Sequence, residues 1–114
     1  MFEYKINATG KSLGRVASEA AKALIGKTSA EYTPRIPSRV RVTIEHAAKI
    51  FMTERRKRDI NTRYSGYPSG LKRETLGALV GRRGIEEALR IAVKGMLPRN
   101  RLLVGRMKKL IVSE

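Results

Sequence analysis

Cysteine and tryptophan are absent from these 114 residues, and histidine occurs once, at His46. Without cysteine there is no disulfide framework, no thiolate zinc site and no cysteine nucleophile. A single histidine also argues against a conventional zinc site. No apolar run approaches the length needed to span a bilayer, and residues 1–6 lack the apolar stretch of a secretory signal. Acidic residues are scarce: 10 Asp and Glu face 25 Lys and Arg, giving a net charge of +15 and a pI near 11.0. Charge of one sign repels itself in the folded state, so such a chain meets phosphate in its working environment. An acidic membrane surface is the rival partner, but no strongly amphipathic terminal helix or lipidation signal is present. The expectation is a soluble, intracellular protein that binds a polyanion.

Apolar residues make up 41% of the chain, which argues against wholesale disorder. The length suits one domain over 1–114 with a modest core. Residues 2–7 alternate apolar and polar side chains and read as a first strand. A turn over Ala8-Thr9-Gly10-Lys11 follows, and Ser12 caps a helix whose buried stripe is Leu13, Val16, Ala17, Ala20, Ala21 and Leu24, ended by Gly26. Gly10-Lys11-Ser12 at a helix start is the setting of a nucleotide-binding P-loop. That motif needs a glycine where Lys5 stands, so the ATPase reading fails on a residue type. The helix start can still hold a phosphate through its free amides and Lys11.

After a connection over 27–38, Val40, Val42 and Ile44 alternate with Arg41, Thr43 and Glu45 in a second strand. Residues 46–49 read as a short turn before an apolar piece, Ile50 to Met52. His46 stands at the strand end with no conspicuous partner, which suits a solvated residue better than a general base. The densest charge comes next: Arg55, Arg56, Lys57, Arg58, Arg63, Lys72 and Arg73, interleaved with Tyr64, Tyr67 and turn residues. A solvated loop is the bland explanation. Planar side chains among arginines in a basic chain favour RNA, because arginine pairs with phosphate and stacks on bases while tyrosine stacks and hydrogen-bonds. Residues 61–67 are a candidate third strand, 69–72 a loop tip and 74–80 a short helix.

The C-terminal part reads as two helical patterns. Ile85, Ala88, Leu89, Ala92, Val93 and Met96 form one apolar stripe, with Glu86 and Glu87 in the first turn and Arg90 and Lys94 toward the end. Gly95 is the expected stop, and Pro98 cannot continue a helix. Leu103, Met107 and Leu110 then oppose Arg101, Lys108 and Lys109, and residues 110–112 read as a closing strand. Alternating strands and helices favour right-handed crossovers and a parallel or mixed sheet covered by helices.

Several motifs now carry a resemblance: Ala8-Thr9-Gly10-Lys11-Ser12-Leu13-Gly14-Arg15, Gly26-Lys27, Ala30-Glu31-Tyr32-Thr33-Pro34, Ser65-Gly66-Tyr67-Pro68, Gly70-Leu71-Lys72 and, most specific, Ala92-Val93-Lys94-Gly95-Met96-Leu97-Pro98. In this order, over nearly the whole chain, they resemble the universal large-subunit ribosomal protein thirteen family. The resemblance implies an α/β domain, three layers α/β/α around a mostly parallel four-stranded sheet, with a basic loop and a C-terminal helical arm. It implies a non-catalytic, cytoplasmic protein of the ribosome that binds large-subunit ribosomal RNA, touches neighbouring large-subunit proteins and supports assembly. No cofactor, metal, small-molecule substrate or membrane is implied. An RNA-binding regulator outside the ribosome is the alternative.

The candidate RNA-binding residues are Lys11, Arg15, Lys27, Tyr32, Arg35, Arg55, Arg56, Lys57, Arg58, Arg63, Tyr64, Tyr67, Lys72, Arg82, Arg83, Lys94, Arg99, Asn100, Arg101, Lys108 and Lys109. Lys94 is equally suited to serve as a helix-end cation. The sequence departs from the family where Leu103 and Val104 stand in place of a glycine and an arginine, with Gly105-Arg106 two residues later. Arg35 likewise stands where relatives have histidine.

Overall fold

A computed structural model of the chain describes residues 2–28, 30, 32, 35–37 and 39–113. Glu31, Thr33 and Pro34 of the connection motif lie outside the described residues, as do Ser29, Ser38 and the two terminal residues. In chain order the elements are β1 (Phe2–Asn7), α1 (Leu13–Ile25), β2 (Val40–Glu45), α2 (Glu54–Lys57), β3 (Ile60–Tyr64), β4 (Leu71–Thr75), α3 (Leu76–Arg83), α4 (Ile85–Met96), α5 (Leu103–Lys108) and β5 (Leu110–Val112). A 3₁₀ turn spans Ala47–Lys49.

Side-chain alternation sets the sheet. β1, β2 and β5 pair in parallel in that order, with Ile6 opposite Ile44 and Val42 opposite Leu110. Ile6, Val42, Ile44 and Leu110 therefore share one face and are buried there with α1 and α4. On the other face Glu3, Lys5, Asn7 and Arg41 are exposed. Cross-strand contacts tie that face: the Thr43 hydroxyl donates to Glu3 at 3.1 Å, and Lys5 lies 3.8 Å from Glu45. Parallel sheets usually have both faces covered. Here the described helices cover one, and the expected four-stranded sheet has three strands. The remaining two strands pair only with each other.

α1 begins and ends as its residues predict. Ser12 Oγ accepts the amide of Arg15 at 3.4 Å, and Gly26 closes the helix at φ 96°. Its alanine-rich stripe is buried and lets α4 approach closely. α4 buries Ile85, Ala88, Leu89 and Val93 against it. Two expectations fail at its end. Gly95 does not stop the helix, which runs on to Met96 and yields at Leu97, ahead of Pro98, where the backbone turns extended. Met96 is 44% exposed, with its sulfur 3.5 Å from the Ser18 hydroxyl, because the stripe has already run past the core edge.

The basic stretch over 55–73 is more ordered than a loop. Arg55 and its neighbours form the helical turn α2, capped by Thr53, whose hydroxyl accepts the Arg56 amide at 3.2 Å. β3 and β4 then make an antiparallel hairpin, so residues 71–73, assigned to the tip or beyond, belong to a strand. The turn itself uses positive φ at Gly66 and Ser69. Gly70 is packed so tightly that a Cβ would collide with Ser65 Oγ. Glu74 belongs to β4 rather than starting a helix; Thr75 caps α3, which extends to Arg83 before Gly84 breaks it at φ 86°. The radius of gyration is 15.0 Å against about 13 Å for a compact chain of roughly 100 residues, consistent with a projecting hairpin.

Candidate nucleic-acid interface

Ion pairing sorts the cations. Lys11 is held by Glu19 at 3.5 Å, Arg56 by Asp59 at 3.3 Å and Lys57 by Glu54 at 3.3 Å. Arg82 grips Glu74 through two hydrogen bonds of 2.9 and 2.8 Å, and this contact, with Arg63 and Arg83 nearby, holds the Glu74 carboxyl below its ordinary range. Arg83 reaches Glu87 at 4.0 Å. Among the described residues, Arg15, Arg55, Arg58, Arg63, Lys72, Lys94, Arg99, Arg101 and Lys108 have no carboxylate partner. These unpaired cations are where a polyanion gains most.

The hairpin concentrates them. Arg63 and Lys72 stand directly opposite each other, with Thr62 opposite Arg73 next along the ladder. Like charges in that position destabilise the pairing. Tyr64 and Tyr67 are 68% and 74% exposed at the same end, so both rings are available for stacking.

Behind the hairpin lies a cleft of about 750 Å³, walled by β3, β4, α3, α4 and the segment leading into α5. Arg63, Arg83, Lys94, Arg99 and Asn100 all line it, so the fold brings together five candidates spread over residues 63–100. Asn61 and Gly95 line it too; sequence reading missed both as site residues, since neither stands out by charge or spacing. A second depression, of about 340 Å³, gathers Arg15 and Arg56 beside Phe51. Phe51 is 60% exposed and fixed by its amide, which donates to the Lys11 carbonyl at 3.0 Å. It lies in the apolar piece Ile50 to Met52, whose other two members are partly buried.

The other candidates stay apart. Lys27, Tyr32 and Arg35 are exposed in the connection between α1 and β2, and Arg101 and Lys108 on the arm. Lys109 is only half exposed and already engaged. Lys11, paired with Glu19, is not held free above the α1 N-terminus as a phosphate ligand. His46 is exposed at φ 58°. Arg106, of the shifted Gly105-Arg106 pair, is 3% exposed. Its Nε and Nη1 have no hydrogen-bond partner among the described residues, so α5 turns this arginine into the fold rather than toward solvent. The described residues hold no group of three or more metal-ligating side chains, and no described helix is long and apolar enough to cross a membrane.

A small α/β block with an acid-poor hairpin, exposed tyrosines and a cleft lined by four cations against two carboxylates, Glu74 and Glu87, has the form of a scaffold for a folded polyanion. Comparison with known proteins gives that class a family. Residues 3–114 match the sequence model described as Ribosomal protein L13. The chain is similar to the large ribosomal subunit protein uL13 of Staphylococcus carnosus, 44% identical over 110 residues that cover 96% of this chain and 75% of the relative. Those of Natranaerobius thermophilus and Syntrophus aciditrophicus are 43% and 42% identical over the same length, covering 76% and 77% of the relatives. The chain belongs to the ribosomal protein L13 family.

Proposed function

We propose that this chain, as one domain, is a structural and non-catalytic constituent of the large ribosomal subunit in the cytoplasm. It binds large-subunit ribosomal RNA through its basic surface and touches neighbouring subunit proteins. The observation that carries the reading is that Arg63, Lys94 and Arg99 face one cleft without ion-pair partners among the described residues, next to a hairpin whose own cations repel one another. Folded ribosomal RNA brings like-charged strands together, and fixed cations between them lower that repulsion. Backbone and shape contacts dominate, since the deep groove of an A-form helix gives side chains little access to base edges. Tyr64 and Tyr67 stack on unpaired bases. The family resemblance implies a fourth strand, which would pair at the free edge of β1 or β5, and a third layer, which would cover the open polar face of the sheet.

The test is titration of deproteinised large-subunit RNA with the protein across salt. Affinity should fall with salt, the logarithmic slope rising by about 0.7 to 0.9 for each phosphate neutralised. A nearly flat response removes the electrostatic mechanism. In cell lysates at low salt the chain should sediment with large subunits; sedimentation away from them would favour a regulator outside the ribosome.

A further inference from the structure

The cleft behind the hairpin has something that phosphate contact alone does not use, an apolar floor. Leu79, Ile91 and Leu103 line it, and Ile91 remains exposed. Gly95 lines it as well. Nothing among the described residues calls for glycine there: the residue lies within α4, its φ is not positive, and an added Cβ would meet none of them within 4 Å. Glycine inside a helix costs about 1 kcal/mol against alanine. A glycine that faces open space on a cleft wall leaves room for a group arriving from outside the chain.

The surrounding chemistry identifies that group. Glu74 and Glu87 also line the cleft but are engaged by Arg82 and Arg83, which leaves Arg63, Lys94 and Arg99 without an ion-pair partner among the described residues and able to meet an anion. The floor calls for a flat apolar face. Asn100 lends its side-chain oxygen to the Leu102 amide at 3.0 Å, which leaves its NH₂ group to donate to an outside acceptor. An unpaired nucleotide combines all three properties, whereas a peptide segment would bring no charge obliged to match these cations. We propose that the cleft takes one unpaired nucleotide of large-subunit ribosomal RNA, its base passing Gly95 to lie on Ile91 and Leu103 and its phosphate held by Lys94 and Arg99. This rests on the reading that the basic surface binds that RNA. The volume of about 750 Å³ falls within the range of roughly 300 to 1,000 Å³ of small-molecule sites. A base that is already unpaired costs least to extrude.

The decisive variant is Gly95→Leu, which fills the cleft without changing charge, with Gly95→Ala as the intermediate step that adds a single methyl group. Both are titrated with deproteinised large-subunit RNA, and the bound RNA is probed with reagents that modify unpaired bases. Gly95→Ala should weaken binding less than Gly95→Leu, because one methyl group narrows the passage without filling it. Gly95→Leu should bind roughly 5- to 150-fold more weakly, the scale of removing one base-stacking interaction, with a salt slope shallower by no more than about 0.7 to 0.9, the share of the one phosphate lost. One base protected by the parent should become reactive. Ile91→Gln, at an exposed position, should release the same base, so the test stands even if Gly95→Leu folds poorly. Full affinity for Gly95→Leu, or no base whose reactivity separates these variants from the parent, overturns the proposal while leaving salt-dependent RNA binding intact. A parent protein whose RNA binding ignores salt overturns the broader reading instead.

Discussion

The parallel sheet with α1 and α4, and the β3–β4 hairpin, use the same kinds of local pattern for opposite ends. In the first, Ile6, Val16, Leu24, Val42, Ile44, Leu89 and Val93 are fully buried on one another. In the second nearly every side chain is exposed, and the ladder sets Arg63 against Lys72. Burial of apolar area holds the first together regardless of partner. A lone two-stranded hairpin is marginal in water, more so with like charges opposed, and this one is anchored mainly by its junction with α3. There Arg82 clasps Glu74, and the Leu76 amide donates to the Asp59 carbonyl at 2.8 Å. One region stores stability, and the other holds cations ready for an external anion.

Removing a core side chain should break that contrast from the stable side with the largest effect. Leu89→Ala should cost about 2 to 5 kcal/mol, because Leu89 is fully buried in the core that α4 shares with α1. That is a large fraction of the ~5 to 15 kcal/mol of a typical domain, and thermal unfolding would read it. Arg106→Met should act the other way. It removes a buried guanidinium with two unpartnered nitrogens, so a gain of about 1 to 3 kcal/mol is expected on chemical denaturation. RNA affinity should not change, since Arg106 does not reach the surface.

The hairpin answers differently. Replacing Arg63, Lys72 and Arg73 together by Gln relieves self-repulsion, so unfolding should be unchanged or slightly later. RNA binding should weaken, with a salt slope shallower by about 0.7 to 0.9 for each phosphate that is no longer neutralised. Unaltered RNA titration by this triple variant would show that the hairpin cations have no part in binding. Amide hydrogen exchange sharpens the comparison further: strands β1 and β2 should be protected in the free protein, and residues 65–70 only when RNA is bound.

The smallest expected effect is the acid response of the hairpin anchor. Glu74 is held below its ordinary range, first by its hydrogen bonds from Arg82. Its contribution is therefore complete above the ordinary glutamate range. It is lost as the pH falls through that range to the depressed folded value. Glu74→Gln should remove this part of the acid dependence; an unchanged acid transition would show that the clasp adds nothing measurable.

Much of the stable region was legible because its signals are local. Ser12 and Gly26 bound α1, alternation sets β2, and the stripe of α4 is readable up to Val93. The basic hairpin was harder, since strand pairing between residues 60–64 and 71–75 is not written in any hydrophobic period when both faces are wet. Gly95 misled because glycine often ends a helix. Here the helical hydrogen bonds continue for another residue, and only the position of the cleft gives that glycine a role.

The sequence alone determined the charge, the absence of thiolate chemistry, the first strand and helix, and the family. These follow from composition and from short-range spacing, which burial later respects. Tertiary structure decided which cations remain unpaired, that Arg106 turns inward, and that Arg63, Lys94 and Arg99 share a cleft. Those outcomes depend on contacts between residues distant along the chain, which packing of the hairpin, α3 and α4 brings together.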